Sequence, residues 1–80
     1  MSIVNLVEKF GADGSLESSW VLPPDAVEPL RAHVDVTPQG WFVDVWPVTS
    51  DIAVIVQPWV AEPVEAESGA WFIGSVHTAG

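Results

Sequence analysis

The residues able to do chemistry are few, and their spacing argues against catalysis. His33 and His77 are the only imidazoles and lie far apart in the chain, without the short ligand spacings that mark a zinc site. Both read as surface polar residues before they read as ligands or catalysts. Ser18 and Ser19 follow Glu17, but no glycines bracket them as in a nucleophile elbow, and no glycine-rich phosphate loop is present. The carboxylates outnumber any acid–base pair, and nothing in their surroundings singles out two of them. Cysteine is absent, which removes disulfides and thiolate metal sites and leaves the redox compartment open. The expectation is a protein that is not an enzyme and carries neither metal nor cofactor.

The distinctive chemistry is the sign of the charge. The 80 residues hold eleven Asp or Glu against two Lys or Arg, a net charge of -9 with a pI near 4.1. Only 16% are charged, below the roughly 25% of an ordinary domain, so the acidity comes from missing bases. After Arg31 no Lys or Arg follows, while Asp35, Asp44, Glu62, Glu65 and Glu67 do. Nucleic-acid binding, which needs clustered cations, is excluded. At 49% hydrophobic with five Trp, the chain is too apolar for intrinsic disorder and reads as one small domain over residues 1–80. The apolar run Ile52–Val56 is far short of a membrane span, and Glu8 and Lys9 interrupt any signal peptide. A soluble, cytoplasmic chain is expected. Its acidity has two readings: solubility, or a surface that offers carboxylates to a basic partner where phosphates usually go, which is DNA mimicry.

The elements that must position these groups read as α+β. Ile3, Leu6, Val7 and Phe10 fall at i, i+3, i+4 and i+7, which predicts a helix over 2–10 that Gly11 stops. A strand over 16–22 follows. Pro23-Pro24-Asp25 signals helix entry, with Glu28 in capping-box relation to Asp25, and predicts a short helix over 24–31 weakened at Pro29. Val34 and Val36, the turn Thr37-Pro38-Gln39-Gly40, and alternation through 41–46 predict a hairpin whose register is open by one residue. A strand over 52–57, an acidic loop over 61–69 and a last strand over 70–77 complete the chain. The sum is a five-stranded antiparallel sheet with two short helices, in the order helix, strand, helix, four strands.

The segment from Glu17 through Ser18, Trp20-Val21-Leu22-Pro23-Pro24-Asp25 and on to Leu30 resembles the phage uracil-DNA glycosylase inhibitor family. There a Glu-Ser strand runs through Leu-Pro into an acidic, partly apolar helix. The resemblance covers residues 16–30, together with chain length, acidity and the predicted order of elements. It implies a stoichiometric 1:1 protein inhibitor, monomeric alone and acting in the host-cell cytoplasm, that occupies the DNA groove of uracil-DNA glycosylase. It implies that Glu17 and Ser18 lie on the DNA-backbone path and that Asp25 and Glu28 address cationic or polar groups. It further implies that Val21, Ala26, Pro29 and Leu30 lie beside an apolar cavity that takes the leucine the enzyme inserts into DNA. Asp25 and Glu28, as i, i+3 neighbours on a helix, stand about 5–6 Å apart and can address one cationic site. Pro24, Pro29 and the bulky Trp20 depart from the family pattern. The alternatives are a DNA mimic aimed at another basic enzyme, such as a restriction or CRISPR effector, and a small acidic binding or immunity module. Neither nucleic acid nor membrane is an expected partner.

Overall fold

Ser2–Phe10 forms a β-strand, β1, where the helical stripe predicts a helix. The computed structural model describes residues 2–78, and in it β1 is paired along both edges. On one side runs Leu16–Val21 (β2), with Leu6 opposite Val21 and Val7 opposite Trp20. On the other runs Trp71–Thr78 (β4), from Ser2 opposite Thr78 to Lys9 opposite Trp71. A nine-residue helix is marginal in water, whereas a central strand satisfies its backbone on two sides and suits the β-branched Ile3, Val4 and Val7. The stripe also misleads because β1 is apolar on both faces: Val7 faces the helices, and Val4, Leu6 and Phe10 alternate to the other side.

The strand over 16–22 and the last strand form close to where they are read. Pro24–Leu30 (α1) forms as the short helix expected, but its N-cap is Pro23 and no side chain caps it, so the Asp25–Glu28 capping box is absent. Pro24 occupies the first turn, where a missing N–H costs nothing, and Pro29 sits near the end of only seven residues.

The middle of the chain departs furthest. The hairpin reduces to one bridge, Val36 to Phe42, around a turn closed by Gly40 N–H to Thr37 O at 2.9 Å, with Gly40 at φ 95°. Strand structure resumes only at Trp46–Pro47 (β3), which pairs with Phe72 and Ile73 of β4 rather than with residues 34–36. Pro47 has no N–H to extend a ladder, which suits a two-residue edge strand. The predicted strand over 52–57 is a helix, Ser50–Val56 (α2), followed by a 3-10 turn over Gln57–Trp59. A uniformly apolar run conceals its period. In the fold, Ile52 and Val56 are buried at i, i+4 while Val54 between them is 77% exposed, which is helical spacing.

The sheet therefore has four antiparallel strands in the order β2-β1-β4-β3, not five. The elements run strand, strand, helix, strand, helix, strand, so the order implied by the resemblance does not hold and only the strand-to-helix segment 16–30 keeps its pattern. Both helices contribute to the core on one sheet face, where Ala26, Val27, Leu30, Ile52 and Val56 are buried with Val7, Trp71 and Ile73. Trp20 stacks on Trp71 at 5.5 Å. The acidic loop is tied down by Gln57, whose amide donates to Glu62 O at 2.9 Å and accepts from Val64 N–H at 2.8 Å. No helix among the described residues is long and apolar enough to cross a membrane.

Candidate protein-docking site

The segment that carries the acidic and apolar groups is an edge strand leading into a helix. β2 pairs only with β1, so its outer backbone edge is open. The β1–β2 register slips where Lys9 faces Ser18 and Phe10 faces Leu16, leaving Glu17 as the extra residue of a bulge. Bulges re-aim side chains. Here the Glu17 carboxylate swings over Gly11, where a Cβ would stand 2.7 Å from Glu17 Oε2. It reaches 3.8 Å from Lys9 Nζ, and Lys9 also donates to Glu62 at 3.1 Å. That hydrogen bond to Glu62 is the main reason the Lys9 pKa lies above its ordinary value, with the carboxylates of Glu62, Glu17 and Glu65 adding to it against partial desolvation. Ser18 is half-buried and Ser19 exposed.

Asp25 and Glu28 are exposed on α1. Glu28 accepts from Arg31 Nε at 3.1 Å, and Arg31 also donates to the carbonyls of Thr37 at 3.0 Å and Val36 at 3.3 Å. Both strong cations of the chain are thus held by its own acceptors. Asp25 has no ion pair among the described residues, and its charge is open to a partner. In the turn before β2, Asp13 accepts from the Ser15 hydroxyl at 2.7 Å and from Ser15 N–H at 3.0 Å, which lowers its pKa.

Beside α1 lies a groove of about 430 Å³. Its apolar walls come from Ile3, Val21, Pro24, Val27 and Trp41, and the charged side chains Glu28 and Arg31 also line it. The far wall is the turn over residues 38–41, anchored to the sheet by Asn5, whose amide donates to Gly40 O at 2.8 Å. Ser75 completes the anchor, since its hydroxyl donates to Asn5 Oδ1 and accepts from Phe42 N–H at 2.9 Å. Of the residues the resemblance places beside a cavity, Val21 lines this groove. Ala26 and Leu30 are fully buried in the core beneath it, and Pro29 is exposed on α1 outside it. Trp41, Val27 and Asn5 were not assigned to a site by the sequence. The available signal was Asn5, a polar residue inside an apolar run.

His33 Nδ1 lies 3.9 Å from Asp51 on the surface, and His77 is exposed on β4. No cluster of three potential metal ligands occurs among the described residues. Comparison with protein-family models, with curated proteins and with solved structures finds no match to this chain.

Proposed function

We propose that the chain is a non-enzymatic acidic binding module that inhibits a basic nucleic-acid enzyme by taking the place of DNA, with uracil-DNA glycosylase as the target. The observation that carries this reading is the continuity of residues 17–28. One stretch supplies the bulged Glu17 on an open strand edge, the exposed Asp25 and Glu28, and a wall of an apolar groove. The field supports it, because neither Lys9 nor Arg31 is left to offset the remaining carboxylates. Carboxylates along β2 and α1 follow the path of a DNA backbone in the enzyme's cleft, and the groove receives an aliphatic side chain from the enzyme. Burying such a side chain contributes roughly 1.5–3 kcal/mol, and salt does not screen it. The complex is 1:1, the free inhibitor is monomeric, and the site of action is the cytoplasm of a phage-infected host cell.

The test is uracil release. Purified protein added to the glycosylase should abolish excision near equimolar ratio; full activity at large excess removes the glycosylase as target. The same carboxylates would then be tried against restriction and CRISPR nucleases, because the acidic field does not depend on the segment that suggests the glycosylase. Within an inhibitory complex, Glu17→Ala should weaken binding by about 2 kcal/mol by leaving the enzyme's facing cation unpaired. Trp41→Ala, which removes an apolar wall of the groove, should speed dissociation more than it slows association. A complex that dissociates completely near 1 M salt is held by charge alone, and the groove then has no part in it.

A further inference from the structure

The helices cover one face of the sheet and leave the other bare. Strand alternation directs Val4, Leu6, Glu8 and Phe10 of β1 to the bare side, with Phe72, Gly74 and Val76 of β4 opposite them. A row crosses β2, β1 and β4 there and ends on Val45, just before β3: Val21 lies opposite Leu6, Leu6 opposite Gly74, and a Cβ on Gly74 would meet Val45 Cγ2 at 3.3 Å. Phe10 and Phe72 pack edge to face at 5.8 Å. Among the described residues seven large apolar side chains are exposed, and four of them, Leu16, Val21, Val45 and Val76, lie on this face. A contiguous apolar face of this kind marks an interaction surface.

Charge decides what covers it. Among the described strand residues pointing this way, Glu8 is the only ionisable one, and it makes no ion pair. A second copy of the chain would bury two unpaired Glu8 carboxylates between bodies of net charge -9 each. A cationic partner gives Glu8 a counter-charge and meets the acidic field around the face. Size favours a helix: β1 spans nine residues, roughly 27 Å, which matches about 18 residues of α-helix at 1.5 Å each. A helix laid there would add a third layer to the two-layer fold.

We propose that the bare face of the sheet docks a cationic amphipathic α-helix of a partner protein, its apolar stripe on Leu6, Phe72 and Val76 and a lysine or arginine against Glu8. This does not rest on the inhibitor reading, which uses the β2 edge and the groove by α1, and the two surfaces share Val21 at their border.

The probe is an 18-residue leucine–lysine peptide patterned as an amphipathic helix, titrated into the isotope-labelled full chain and followed by NMR. Shift changes should cluster on Leu6, Glu8, Phe72 and Val76. Glu8→Lys should weaken binding tenfold or more, as should Val76→Asp, placed where the native side chain is 36% exposed. If Glu8→Lys does not fold, Val76→Asp decides. Glu65→Lys, which alters net charge equally but in the acidic loop, should change affinity less than threefold. The proposal is overturned if Glu65→Lys and Glu8→Lys weaken binding alike, or if a scrambled peptide of the same composition binds as well. It is also overturned if the shifts map to α1, or if sedimentation shows a dimer of the chain that Val76→Asp abolishes.

Discussion

The two faces of the sheet are built from the same strands yet differ in what covers them. On the covered face Val7 and Ile73 are wholly buried and Trp71 is 3% exposed, all under Leu30, Ile52 and Val56. On the bare face Leu16 and Val45 remain 51% and 58% exposed. A chain of this size buries only about 60–65% of its unfolded surface, so a 49% hydrophobic composition exceeds what one small core can take up. The covered face makes the domain fold. The surplus is left on the face that no helix covers, the one proposed to dock a partner.

The sharpest way to break this contrast is to truncate one side chain on each face. Leu30→Ala should cost about 3 kcal/mol, since the side chain is fully buried and leaves a cavity, and that approaches the whole stability expected of so small a domain. Val76→Ala, on the bare face, should cost under about 0.5 kcal/mol. Urea unfolding followed by tryptophan fluorescence measures both. Equal costs would mean that the bare face is structural after all.

A finer comparison lies at β3. The indole Nε1 of Trp46 is buried without a hydrogen-bond partner, whereas Trp71 is stacked on Trp20. Trp46→Phe loses some apolar contact but also removes an unsatisfied donor worth about 1–3 kcal/mol, so its stability should change by less than about 1 kcal/mol. Trp71→Phe has no such offset and should destabilise more, by about 1–2 kcal/mol. Thermal unfolding of the two variants side by side checks the ranking.

What the sequence disclosed follows from how local each signal was. The strand over 16–21, the helix entering at Pro24, the Thr37–Gly40 turn and the final strand are marked by residues within a few positions of one another. The sequence predicts a helix where β1 forms and a strand where α2 forms, because apolar residues on both faces of a central strand imitate a helical stripe, and a run such as Ile52–Val56 has no polar residue to show its period. The same division applies to the site. Exposed Glu17, Asp25 and Glu28 are legible as charges. The groove is not, because its walls come from the start of β1, the entry to α1 and a turn that Asn5 holds across 35 positions of sequence. The resemblance implies that Leu30 lies beside a cavity, whereas the fold buries it completely in the core, because likeness of a short segment does not carry over which residues pack against it.

The smallest effect contrasts two neighbours on β1 that point to opposite faces, Lys9 and Glu8. Lys9 bonds Glu62 at 3.1 Å, lies 3.8 Å from Glu17, and sits 5.6 Å from the Trp71 ring centre. Its pKa is raised in the fold above the ordinary 10.5, first by the Glu62 hydrogen bond. A raised lysine pKa means that the ammonium contributes stability fully below the unfolded value of about 10.5, and that this contribution is lost as pH rises through the folded value. The chain has neither Tyr nor Cys, so no other such side chain blurs this alkaline window. Unfolding midpoints should therefore be level from about pH 9 to 10 and fall beyond it. The fall should be shallow and should shrink with added salt, because the partners are partly exposed and screened. Lys9→Met should abolish the slope, and Glu8→Gln, which removes a carboxylate with no ion pair on the other face, should leave it intact. A slope that survives Lys9→Met would assign it to some group other than this lysine and its two carboxylates.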